Sequence, residues 1–233
     1  MTSPVAGTAA GGADTASGRL RRKIELIDGP FRAACTKLFR HPHLAALWPE
    51  YAIQTHWIIR ATVPLMEDAE ARARARRDDP VAAGVESFLA AHVEKERGHD
   101  DWLLDDLELL GVDRSAVLAR VPSATVASLV GSHYYRNRHC HPVALLGYVA
   151  VMEGDPPRPE LIDRLVAGTG YSRAAFRAFA AHGELDLHHR AAVYDAIDGL
   201  PLAPAHESLM GLAAMSTVEL LTRWLEELLE QAA

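Results

Sequence analysis

A chain of 233 residues, 49 % of them hydrophobic, is long enough for one sizeable core or at most two small ones. Its net charge of −7, without any dense Lys/Arg run, argues against nucleic acid or an anionic membrane surface as a partner. Cys35 and Cys140 form no C-x-x-C and no disulfide framework, which fits a reducing cytoplasm, and no apolar run approaches the roughly 20 residues that a bilayer span requires.

The opening "MTSPVAGTAAGGADTASG" has neither a basic n-region nor a Leu-rich h-region. It is expected to be a flexible tail over 1–18 rather than a signal peptide, ahead of a single domain over 19–233. From there the signals are helical almost throughout. "LRRKIELIDGPFRAACTKLFRH" reads as two short helices around a Gly-Pro break. Apolar positions at helical spacing (Ile53, Trp57, Ile58, Ala61, Leu65) carry a long helix from about Pro49 to Arg77. Asp79-Pro80 opens the next, which the periodicity carries to Leu110, with Gly111 as its stop. Further helices are expected over 123–138, 142–153, 158–168, 172–198 and 205–231. No segment has the alternation and turn chemistry of a hairpin. The expectation is an all-α, single-domain bundle of seven to nine helices.

Polar residues at structured spacing carry the chemistry. In "AAHGELDLHH" (180–189), His182, Asp186 and His189 fall within an arc of roughly 60° at about 100° per residue, whereas Glu184 and His188 point to nearly the opposite side. Phe179, Leu185 and Val193 lie on or beside the same face as the triplet, which turns it inward. An inward Asp between two His is costly unless charge and hydrogen bonds are satisfied, and a metal ion satisfies both. For any single His the bland alternative is a solvated or capping role. The triplet is repeated in "AAHVEKERGH" (90–99), where His92, Glu96 and His99 are read as sharing one face of the long helix while Glu94 and Lys95 fall off it. Imidazole and carboxylate suit Fe(II) or Mn(II), and two divalent ions need a further bridging carboxylate. Glu153, at the end of the apolar segment "HPVALLGYVAVMEG", is the candidate; on spacing alone an exposed helix-terminal residue is an equal reading.

A ferritin-like bundle uses two Glu-x-x-His pairs, and only Glu96-x-x-His99 fits that pattern here. The segments "EKERGHDDW", "GYVAVMEG" and "HGELDLHH" together resemble the haem-oxygenase-like diiron oxidases and oxygenases, within the wider haem oxygenase, TenA and PqqC-like fold. The resemblance covers most of the chain from about Pro30 and implies a haem-oxygenase-like helical domain with two Fe(II) ions, manganese being an alternative at one site, and O2 as co-substrate. It implies Glu96, His99, Glu153, His182, Asp186 and His189 as metal ligands, with the carboxylates of Glu96, Glu153 and Asp186 closest to the chemistry. His92 is left as either an added ligand or a supporting donor. The activity implied is desaturation, oxidative C–C cleavage or decarboxylation, or N-oxygenation of a small carboxylate- or amine-bearing metabolite, in specialised metabolite biosynthesis. Its substrate pocket is expected against the Pro49–Arg77 helix, with Gln54, His56, Arg60, Tyr134 and Tyr135 as polar contacts. The alternatives are a metal-free TenA- or PqqC-like enzyme using Cys140, a haem binder using His41 or His43, and a helical binding protein without turnover. A cytoplasmic homodimer is the default expectation for such a chain.

Overall fold

The computed structural model describes residues 15–154 and 157–231, apart from the side chains of 184–188. Among the described residues the chain is all-α: α1 (Ala16–Ile27), α2 (Gly29–Phe39), α3 (Leu44–Arg74), α4 (Pro80–Glu96), α5 (His99–Leu109), α6 (Arg114–Ala119), α7 (Ala124–His139), α8 (Ala144–Met152), α9 (Pro159–Thr169), α10 (Arg177–Gly199) and α11 (Pro204–Glu230), with a 3-10 turn at Arg173–Phe176 before α10. None of these helices is long and apolar enough to cross a membrane. Residues 16–18, expected to belong to a tail, are the first turn of α1, where Thr15 caps the helix by accepting from the Gly18 amide at 3.1 Å; residues 1–14 lie outside the described residues.

Among the described residues eleven helices replace the expected seven to nine. One addition is α6, a turn and a half of helix capped by Asp113, whose carboxylate accepts from Ala116 N at 3.0 Å. The other comes from the expected 80–110 helix, which breaks in two. Arg97 is extended and Gly98 is left-handed at φ +87°, a conformation that ends α4 and re-aims the chain into α5.

Helix α3 runs through two prolines, Pro49 and Pro64. Pro49 has no N–H to offer Ala45, and the Tyr171 hydroxyl donates to that freed carbonyl at 2.7 Å. α8 is buried from Ala144 to Ala150 and packs along α11, with α7 and α10 on other sides. A helix apolar all round belongs in a core. Gly147 permits the α8–α11 approach, since a Cβ there would lie 2.2 Å from the Met210 carbonyl oxygen. Two hydrophobic clusters result. One gathers α2, the first half of α3, α5, α9 and the end of α11; the other gathers the second half of α3, α4, α8 and the start of α11. Val151 and Met152, at the end of α8, pack against both, and Glu153 follows them at the seam.

Candidate metal centre

Helix α10 crosses this seam and presents His182 and His189, seven residues and about two turns apart, on one face. His182 donates from Nδ1 to the Ala178 carbonyl at 2.7 Å, which fixes its tautomer and leaves Nε2 with a lone pair. The start of α10 is itself held by α5: buried Asp106 accepts from Ala178 N at 2.8 Å.

Opposite α10 lies the α4–α5 break. His92, Glu96 and His99 do not share one continuous helical face as their spacing predicts, since Glu96 ends α4 and His99 begins α5. The left-handed Gly98 folds them together, so that His99 Nδ1 lies 3.1 Å from Glu96 Oε2. The other oxygen, Glu96 Oε1, faces His189 Nδ1 at 3.0 Å. Glu153, 8 % exposed at the end of α8, places Oε1 2.6 Å from His92 Nε2.

Two adjoining donor groups follow. His92, Glu96, Glu153 and His189 form one; Glu96, His99 and His182 form the other, and within each the donor atoms lie within 4.8 Å of one another. Glu96 is common to both. The imidazoles pack edge to face, His92 on His189 with ring centres 5.0 Å apart and His99 on His182 at 5.1 Å, while Phe88 stacks on His92 and Trp102 on His99. Five of the six side chains expected as ligands are therefore brought together, and His92 joins them. The sixth, Asp186, falls in the 184–188 stretch of α10 whose side chains lie outside the described residues.

The electrostatics favour carboxylates and neutral imidazoles facing one another. Burial pushes the Glu153 carboxyl upward, and nearby Glu96 adds to the rise against the opposing His92 hydrogen bond. Burial also acts to raise Glu96, but the His99 hydrogen bond and the charges of His99, His92 and His189 outweigh it and hold its carboxyl below the ordinary range. Burial lowers His182 and His189, which favours neutral imidazoles with lone pairs to share. Glu153 Oε2, His92 Nδ1 and His189 Nδ1 are buried with no hydrogen-bond partner; the His189–Glu96 approach is close but misaligned for one. Buried polar atoms are rarely left so, and a cation between the carboxylates would satisfy Glu153 Oε2 and His189 Nδ1 together. Mixed imidazole and carboxylate without thiolate suits divalent iron, manganese or zinc.

An apolar cavity of about 230 Å³ opens onto Glu96, Glu153 and His182. Its walls are Tyr51, Thr55, Ile59 and Thr62 of α3, Leu103 of α5, Met152 of α8 and Phe179 of α10. None of the five polar contacts expected from sequence lines it, although α3 does. Gln54 accepts from Trp224 Nε1 at 2.6 Å and donates to Glu50, tying α3 to α11. His56 is fully buried, its pKa pushed down to about 4 by burial and then by Arg60. Gln54, His56 and Arg60 fall on other faces of α3 than the 51/55/59/62 row that lines this cavity. Tyr134 lies under the Arg138 guanidinium, and Tyr135 is 64 % exposed. The spacing in the sequence that marks this cavity wall is the pair Thr55 and Thr62, two turns apart. Cys140, exposed at the end of α7, and His41, beside the α2–α3 connection, lie away from this cavity.

The structure is similar to a domain of unknown function with a heme oxygenase-like fold from Shewanella denitrificans, at TM-score 0.76 and 19 % identity over 92 % of each chain. A TenA homolog from Pseudomonas syringae pv. tomato matches at TM-score 0.72 and 12 % identity, covering 94 % of this chain and 97 % of its own. A CADD-like protein of unknown function from Nostoc punctiforme matches at 0.69 and 17 %, covering 92 % and 98 %. At such identities the likeness is one of fold, here the heme oxygenase-like fold. No curated protein matches in sequence. The sequence profile of the iron-containing redox enzymes matches residues 68–221, from late α3 into α11. That span holds every His and Glu of both donor groups, and this chain belongs to the iron-containing redox enzyme family.

Proposed function

We propose that the chain is a non-haem diiron, O2-dependent oxidase or oxygenase acting on a small carboxylate- or amine-bearing metabolite. The observation that carries this reading is Glu96, whose two oxygens face two separate sets of imidazole and carboxylate donors. A carboxylate so placed would offer one oxygen to a cation in each set. Glu96 would bridge, with His92, Glu153 and His189 on one side and His99 and His182 on the other; Asp186 is retained as a ligand from the helical spacing. Iron held there supplies the one-electron and O2 chemistry that side chains lack.

The chain's own contribution is orientation and exclusion. The cavity walls remove water next to Glu96, Glu153 and His182 and leave room for one small aliphatic segment. Thr62 shares a hydrogen bond with the buried Tyr148 hydroxyl at 3.0 Å, so that this wall is fixed rather than adaptable. The reaction class that suits such a site is hydrogen removal or oxygen insertion at one placed carbon or nitrogen: desaturation, oxidative C–C cleavage or N-oxygenation.

Anaerobic Fe(II) loading followed by metal analysis tests the reading. About two irons per chain are expected, with His182→Ala and His189→Ala each losing at least one, and Glu96→Ala losing both. One iron in the wild type, or undiminished binding in the His182→Ala/His189→Ala double variant, overturns it.

A further inference from the structure

Behind the last turn of α8, on the side away from the apolar cavity, lies a second and larger cleft of about 610 Å³ between α1, α2, α8, α10 and the start of α9. Met152 and Glu153 face the apolar cavity; Ala150, Val151 and Gly154 face the cleft. Four arginines line it, Arg21 from α1, Arg32 from α2, Arg158 just before α9 and Arg190 from α10, against two carboxylates, Glu25 and Asp28. Among the described residues that is an excess of two positive charges, in a chain whose net charge is −7.

Arg32 is paired with Asp28 at 2.6 Å. Among the described residues the other three make no ion pair with any carboxylate. Arg21 instead rests over the Tyr194 ring, 5.4 Å from its centre, and Arg190 donates from Nη1 to the Gly154 carbonyl at 3.3 Å. These contacts orient the Arg21 and Arg190 guanidinium groups while leaving most of their N–H donors unspent, and Arg158 is exposed at the rim. Unpaired arginines from three different elements, converging on one concavity, form an anion receptor.

We propose that this cleft binds a small polyvalent oxyanion, a phosphate or a dicarboxylate, as a ligand site separate from the apolar cavity. The guanidinium fork matches phosphate and carboxylate oxygens alike. The volume lies within the range of about 300–1,000 Å³ usual for small-molecule sites. No Lys or Arg lines the apolar cavity, so the two sites divide ligands by charge. Because Arg190 adjoins His189 and its acceptor Gly154 adjoins Glu153, an anion bound here sits one residue away from two of the metal-binding side chains.

Calorimetric titration of the full, metal-free chain with inorganic phosphate and with succinate, at matched chloride ionic strength, tests the proposal. Saturable binding of at least one anion is expected, and the stronger of the two identifies the ligand as phosphate or carboxylate. Arg21→Gln and Arg158→Gln, both at exposed positions, are each expected to weaken it about tenfold or more, the effect of losing one charge-assisted hydrogen bond. Arg223→Gln, an exposed arginine paired with Glu227 on α11, is expected to leave it unchanged. Melting curves without ligand verify that each variant is folded, and Arg21→Lys serves in place of any that is not. Absence of saturable binding with either anion, or equal binding by folded Arg21→Gln and Arg158→Gln, overturns the proposal.

Discussion

Glu96 ends one helix and His99 begins the next, yet the ring nitrogen of His99 lies 3.1 Å from the Glu96 carboxylate because Gly98 between them is left-handed. A Cβ at Gly98 would meet nothing within 4 Å, so the position demands glycine for its backbone alone. Gly98→Ala is expected to cost about 1–2 kcal/mol, the penalty of a left-handed L-residue, and Gly98→Asn less. Denaturant unfolding measures the cost. Iron stoichiometry on the same variants shows whether the His99–His182 group loosens before the other one.

Asp106 sets a second junction of the site, as its carboxylate from α5 accepts the Ala178 amide at the start of α10. Asp106→Ala removes that acceptor and is expected to lower stability by about 1–2 kcal/mol. Asp106→Asn retains a carbonyl oxygen in the same place and is expected to recover most of the loss. A common melting temperature for the two variants would show that the cap contributes nothing.

At Gly147 the constraint is space rather than backbone conformation. Its Cβ would enter the Met210 carbonyl of α11, and backbone cannot yield as a flexible side chain can. Gly147→Ala is expected to destabilise by about 3 kcal/mol or more, at the upper end of overpacking, by forcing α8 away from α11. Thermal unfolding in parallel with Gly131→Ala, whose added Cβ meets nothing within 4 Å, isolates the steric part.

Acid stability follows from a histidine outside the metal groups. The Thr217 hydroxyl donates to Ala213, so its oxygen accepts from His133 Nε2 at 3.0 Å, and His133 Nδ1 is bare and buried. Burial, and then Arg136, push this imidazole down to about 3 from the ordinary 6.5. The unfolded chain binds a proton near pH 6.5 that the folded chain refuses until about pH 3. The stability contributed is therefore fully present above pH 6.5 and is lost as pH falls below it, at up to about 1.4 kcal/mol per pH unit. Urea unfolding between pH 7.5 and 5 is expected to show a shallower pH slope for His133→Gln than for wild type. Parallel slopes would remove His133 from the account.

The ligand chemistry was legible in one dimension where the helix was unbroken. The seven-residue spacing of His182 and His189 is two turns of α10, so helical periodicity alone puts them on one face. The spacing of His92, Glu96 and His99 selected residues that do meet, but for a different reason: the meeting depends on the Gly98 turn, which apolar periodicity carried straight through. Glu153 was ambiguous because a residue ending an apolar helix is exposed or buried according to what covers it. Here α4 covers it with His92.

Apolar periodicity, proline and glycine punctuation and the order of the His and Glu segments were thus sufficient for an all-helical chain with an inward imidazole–carboxylate set, because helical geometry is local. The sharing of Glu96 between two donor groups, the cavity wall of Tyr51, Thr55, Ile59 and Thr62, and the arginine cleft behind α8 each join elements far apart in the chain. Their positions depend on which helix faces pack, and packing is settled by volume and burial summed over the whole core rather than by the pattern of any one segment.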